Sequence, residues 1–156
     1  MWPFNRKQLD ITTLPRMSDE SLSWGVAEGV LDETPLIIRY NESAREWMGH
    51  RELPVKLGFA IPLNSPNEGG LPDANENDQL LQIEDILVTE VESRTHAILA
   101  MVLTTGTMKE FIFYVPTDVD IRAIHEAAQE AVSTHEVQCM AVMEPKWDSY
   151  RDFYPD

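Results

Sequence analysis

The sequence predicts an α+β fold, and three observations predict it. The stretch Lys109-Glu110-Phe111-Ile112-Phe113-Tyr114-Val115, closed by Pro116, is apolar on both parities. It reads as a strand with both faces covered, in the interior of a sheet. Leu80, Ile83, Leu87 and Val91 recur at helical spacing, and so do Ile121, Ile124, Ala128 and Val132. From residue 55 onward, strand-like and helix-like segments follow one another as β-α-β-β-α-β, the order of the ferredoxin-like split βαβ unit. Such a unit sets the 55–63 and 108–115 strands in the middle of a four-stranded antiparallel sheet.

Each element has its own justification. Residues 1–20 lack periodicity and are read as irregular, and residues 21–156 as a single α+β domain. Trp24 to Val30 alternates, Leu31 to Pro35 interrupts, and Leu36 to Asn41 resumes, which predicts a hairpin over 23–41. A short helix follows, capped by Asn41 or Ser43, with Ala44, Trp47 and Met48 inward. Val55, Leu57, Phe59, Ile61 and Leu63 then alternate with smaller residues, as one strand with a large and a small face. Asn64 to Asn77 is rich in Pro, Gly and Asn and is read as a loop. A helix is expected from about 77 to 93.

Ala97 to Thr104 and Met108 to Val115 form a second hairpin around Thr105-Gly106-Thr107. Thr117 or Asp118 is expected to cap the second helix. Glu136 to Met143 closes the core, which spans about 55–144, and residues 145–156 form a short aromatic helix or tail. Both helices would cover one sheet face. The other face would show Gly58, Ala60, Ile112, Tyr114 and Met140. It is too apolar to stay wet, so the N-terminal hairpin, the aromatic tail or a second subunit in a homodimer should cover it.

Composition bounds the function. The 156 residues carry 12 basic and 27 acidic side chains, a formal charge of -15. That charge disfavours direct contact with nucleic acid or an anionic membrane, and suits a basic protein partner. The one cysteine, Cys139, stands in an apolar run, which fits a small buried side chain and a reducing, cytoplasmic setting. No Cys-His zinc spacing, nucleophile elbow or phosphate-binding glycine motif occurs. No apolar stretch approaches the length of a membrane span, and no signal-peptide core follows the first charges. Trp2 and Phe4 beside Arg6 and Lys7 suggest a docked terminus or a membrane-surface contact.

Some residues stand out chemically. Glu84 falls on the apolar side of its helix, and a buried carboxylate needs a partner. Arg39 shares a strand face with Ile37 and is the natural one. The pair reads either as a tie between hairpin and helix or as a ligand-recognition or acid/base site. Asp73-Ala74-Asn75-Glu76-Asn77-Asp78 with Glu84 approximates a calcium-loop frame. It lacks the glycine at the sixth position and an entering helix, so no metal is expected. Trp147, Tyr150 and Tyr154 share one helical face and read as core or as an aromatic pocket wall. The candidate site residues are therefore Trp24, Arg39, Asn41, Glu84, Tyr114, Trp147 and Tyr150, with no catalytic residue, cofactor or metal assigned. His125 and the other histidines read as structural.

Trp24, the segment Pro35-Leu36-Ile37-Ile38-Arg39-Tyr40-Asn41, Gln82-Ile83-Glu84-Asp85, the 110–115 strand and Glu144-Pro145-Lys146-Trp147-Asp148-Ser149-Tyr150 together resemble the bacterial family of unknown function DUF695, over residues 20–154. In that family the tail often reads Asp-Pro-x-Trp, and Glu144 is a departure from it. The resemblance carries no activity. Some members look fused to a domain similar to the regulator of ribonuclease E activity, which implies a regulatory or protein-binding role. The leading expectation is a non-enzymatic, acidic binding module. The runner-up is a ligand site between hairpin and sheet using Arg39, Glu84, Tyr114 and Trp147.

Overall fold

The computed structural model describes residues 8–154, so the N-terminal motif of Trp2, Phe4, Arg6 and Lys7 lies outside the described residues. Within them an α+β fold is built on one six-stranded antiparallel sheet. Its strands are β1 (Trp24–Leu31), β2 (Thr34–Asn41), β3 (Val55–Pro62), β4 (Ile98–Thr104), β5 (Met108–Val115) and β6 (Gln138–Met143). Three α-helices accompany them: α1 (Ala74–Glu92), α2 (Ile121–Ala131) and α3 (Asp148–Phe153). The strand order is β1-β2-β4-β5-β3-β6, which seats β5 and β3 in the interior.

Alternation along the strands divides the sheet into two faces. Phe111, Phe113 and Val115 of β5 join Leu57, Phe59 and Ile61 of β3 on one face. Leu80, Ile83, Leu87 and Val91 of α1, with Ile124 and Ala128 of α2, cover them. Ile112 and Tyr114 point the other way and meet Ile98, Met101, Trp47, Leu53, Trp147 and Tyr150 in a second core. Two-sided burial explains why β5 has no polar parity over its last five residues, Phe111 to Val115, all buried.

The hairpin is where expectation and structure part. It does not fold over the open face but extends the sheet beside β4, with Arg39 opposite Val102 and Tyr40 opposite Met101. The sheet therefore has six strands rather than four. The open face is covered by the aromatic tail, by the 3-10 turn Glu42–Trp47 and by Ile11 and Leu14. Met140 and Val142 at the β6 end of that face remain exposed. The interruption in the hairpin is also shorter than the sequence suggests. Leu31 pairs with Thr34, leaving a two-residue turn in which Asp32 (φ 51°) and Glu33 (φ 67°) are both left-handed. That is the turn hand that matches strand twist, although Asn-Gly would adopt it with less strain. Pro35 is tolerated because pairing between β2 and β4 begins only at Ile37. At Gly25 a Cβ would lie 2.3 Å from the Tyr40 ring across the hairpin, so a larger residue there would displace that ring.

Three boundaries also shift. The helix α1 starts at Ala74, three residues early, because Asp73 caps it by accepting from the Glu76 amide at 2.8 Å. Asp120, not Thr117 or Asp118, caps α2. The segment after Asn41 is a 3-10 turn that buries Ala44 and Trp47 but leaves Met48 exposed.

Candidate functional site

Strand β2 lies outside the two helices, so its helix-facing side chains meet only the flank of α1. Arg39 is one of them. Its guanidinium lies 4.9 Å from the Trp24 ring centroid and donates through Nη2 to Oε1 of Glu84. Glu84 sits on α1 one turn from Leu80, Leu87 and Val88, which explains its partial burial. Trp24, Arg39 and Glu84 thus form one aromatic-cation-carboxylate stack that ties the hairpin to α1. Arg39 keeps about a third of its side chain, 32%, in solvent.

Tyr114, Trp147 and Tyr150 lie on the opposite face of the sheet, while Asn41 shares strand parity with Arg39 and is opposite Trp24. The expectation of one pocket lined by Arg39, Glu84, Tyr114 and Trp147 therefore fails geometrically, because the sheet separates the two pairs. Trp147 stacks on Tyr114 with centroids 4.0 Å apart and rings 5° from parallel. Its Nε1 donates to the Leu53 carbonyl at 2.8 Å. The Tyr150 hydroxyl donates to the Asn41 carbonyl at 2.6 Å, and the Asn41 side chain donates to the Leu99 carbonyl at 3.1 Å.

Glu144 organises this tail. Its carboxylate accepts from the Tyr114 hydroxyl at 2.6 Å and from the amide and hydroxyl of Ser149, both at 2.8 Å, while Lys56 lies 3.4 Å away. Burial opposes its charge, but these donors hold the carboxyl below its ordinary range. Burial and the Glu144 charge push the Tyr114 hydroxyl far above its ordinary value. All polar ends are satisfied, so this aromatic group builds the second core.

Two charged residues escaped sequence reasoning. Lys109, at the start of β5, is buried with Phe111 on the helix-facing side. Glu76 is buried at the first turn of α1, where its carboxylate accepts from the amides of Asn64 (2.8 Å) and Ser65 (2.9 Å) and from Nε2 of His135. Desolvation works against the Glu76 charge, yet these three donors keep its carboxyl below the usual range. Lys109 was legible, since it shares parity with Phe111 and Phe113. Glu76 was not, since its partner lies 59 residues away.

Other candidates resolve simply. Asp73 serves as a helix cap and Glu84 as the partner of Arg39, so the calcium-like frame is not assembled around one point. Among the described residues, no group of three or more His, Cys, Asp or Glu side chains lies together as a metal site. Nor is any described helix long and apolar enough to cross a membrane. Cys139 packs against the main core, and burial pushes its thiol up to about 11, which keeps it unreactive. His125 donates to the Val137 carbonyl at 2.8 Å. A cleft of about 810 Å3 opens between the C-terminal end of α1 and the start of α2, walled by Arg16, Arg94, His96, Glu92 and Asp118. None of the candidate site residues lines it, and Arg16 and Arg94 are engaged by Glu92 (3.7 Å) and Glu90 (2.9 Å).

No curated protein and no solved structure matches the chain. The family model described as "Family of unknown function (DUF695)" matches residues 22–154, which run from just before β1 to the end of the aromatic tail. The chain therefore belongs to the DUF695 family.

Proposed function

We propose that this chain is an acidic, non-enzymatic, cytoplasmic module that binds a basic protein through its N-terminal hairpin. One observation carries the reading. Strand β1 is a sheet edge of eight residues, and it leaves Val26, Val30 and Leu31 exposed at 65%, 73% and 50%. Native edges of this length are normally blunted by charge, proline or a covering segment, and an apolar one is a template for an added strand. Glu28, Asp32 and Glu33 flank the apolar positions, and the whole chain carries -15, so charge complementarity favours a basic strand. The aromatic tail supports the reading from the other side, because its rings are spent on the second core.

The same reading takes residues 55–144 as a ferredoxin-like split βαβ unit with the hairpin added at its edge. The strand order β4-β5-β3-β6, with α1 joining β3 to β4 and α2 joining β5 to β6, supports it.

The test is capture from nuclease-treated lysate of the source cells at low and high salt, with crosslinking to locate the contact. A basic protein retained at low salt, released at high salt and crosslinked to residues 24–34 is the expected result. Retention of nothing, or crosslinks confined to the α2 and β6 side, would remove the reading.

A further inference from the structure

The helix-facing side of the sheet holds a buried cation with no direct ion-pair partner among the described residues. Lys109 is only 9% exposed. Among the described residues its ammonium enters no hydrogen bond and no ion pair, and its sole close polar-aromatic contact is the Phe111 ring, 5.8 Å from Nζ to centroid. Phe111 is opposite Val102, and Val102 is opposite Arg39. An ammonium placed over Phe111 therefore leans along β5 toward the strand row that holds Arg39. The neighbourhood is consistent, since burial pushes the lysine's pKa down, Arg39 pushes the same way and Glu84 opposes.

Two cations thus share one carboxylate. Glu84 is committed to Arg39 and lies too far from Lys109 to form an ion pair with it. A buried ammonium without an acceptor is costly, and a fixed donor set of this kind is what an oxyanion completes. The guanidinium offers a planar fork and the ammonium a point charge, the usual pair for a carboxylate or phosphate group. Elsewhere the surface is strongly acidic, so a local positive excess here would select the anion by position.

We propose that Lys109 and Arg39 form a binding site for a small oxyanion, a carboxylate or phosphate group, on the helix-facing side of β2, β4 and β5 beside α1. Arg39 is opposite Val26 across the hairpin, but the anion test needs no protein partner, so its outcome is read separately from that of the hairpin edge. The experiment is reductive methylation of the lysines, followed by mass spectrometry, in phosphate, acetate or chloride at equal ionic strength. Bound anion should slow labelling of Lys109 roughly tenfold at about ten times its dissociation constant. Lys56 and Lys146 serve as internal references. Protection by phosphate alone identifies a phosphate site, and protection by acetate alone a carboxylate site.

Arg39→Gln should abolish the protection. Anion should raise the Tm of the wild type, and in Lys109→Met, an uncharged side chain of similar length that suits the buried position, that rise should vanish. Equal labelling of Lys109 in all three salts would overturn the proposal. So would protection that survives Arg39→Gln, or an anion-dependent rise in Tm retained in Lys109→Met.

Discussion

Trp147→Ala is expected to remove about 3–5 kcal/mol of stability, the range for deleting a fully buried large aromatic side chain. The indole is completely buried, stacked on Tyr114, and donates to the Leu53 carbonyl at 2.8 Å. Removing it opens a cavity between α3 and the sheet and leaves that carbonyl without its partner. Trp147 also takes a left-handed backbone (φ 55°) that directs the chain into α3, and the surrounding contacts hold it there. Urea titration of both proteins measures the difference. A loss under about 1 kcal/mol, the size typical of a surface substitution rather than a core one, would mean that the tail does not complete the second core.

Glu76→Ala is the second large effect, again about 3–5 kcal/mol, because it strips a buried pair of one member. Two backbone amides and His135 would lose their acceptor together where Asn64 and Ser65 dock on α1. Its pH dependence has a definite sign. The folded Glu76 carboxyl lies below its ordinary value, so the unfolded chain binds this proton more readily. The stabilisation is present above the ordinary glutamate pKa of about 4.3 and fades as pH falls through the lower folded value. Glu76→Gln should therefore lower stability at pH 7 and converge on the wild type in acid. Parallel pH profiles for the two proteins would show that the carboxylate charge is not what is stabilised.

Periodicity made much of the fold readable. Strand β5 declared its interior position through its last five residues, and α1 through Leu80, Ile83, Leu87 and Val91. The Arg39–Glu84 tie was readable because a charge inside an apolar stripe must be paired, and only one cation shared a face with a β2 isoleucine. The placement of the hairpin was not. Alternation states that a strand has two faces, but not whether the ribbon lies over a sheet or beside it. The cap of α2 was ambiguous because Thr117, Asp118 and Asp120 all offer an oxygen acceptor. Asp120 wins because its side chain alone reaches the Ala123 amide, at 3.1 Å. Glu76 lay hidden in a segment that reads as loop, and its burial depends on His135 arriving from beyond α2.

The split of the candidate residues has a physical cause. Strand parity sends Arg39 to the helix side and Tyr40 to the tail side, so Trp24, Arg39 and Glu84 cannot meet Tyr114, Trp147 and Tyr150. Rings that looked like a pocket wall in the sequence are the means by which a sheet with two apolar faces closes its second one. The partner site proposed above is the β1 end of the sheet, whose other end is β6.

The most direct test of that claim is capture by the wild type against capture by a chain carrying both Val26→Gln and Val30→Gln. The pair changes no charge and touches exposed positions only, so matching circular dichroism and Tm should accompany it. The account predicts that the doubly substituted chain loses the basic partner at low salt. Equal retention by the two proteins would contradict it, and would move the binding surface away from β1.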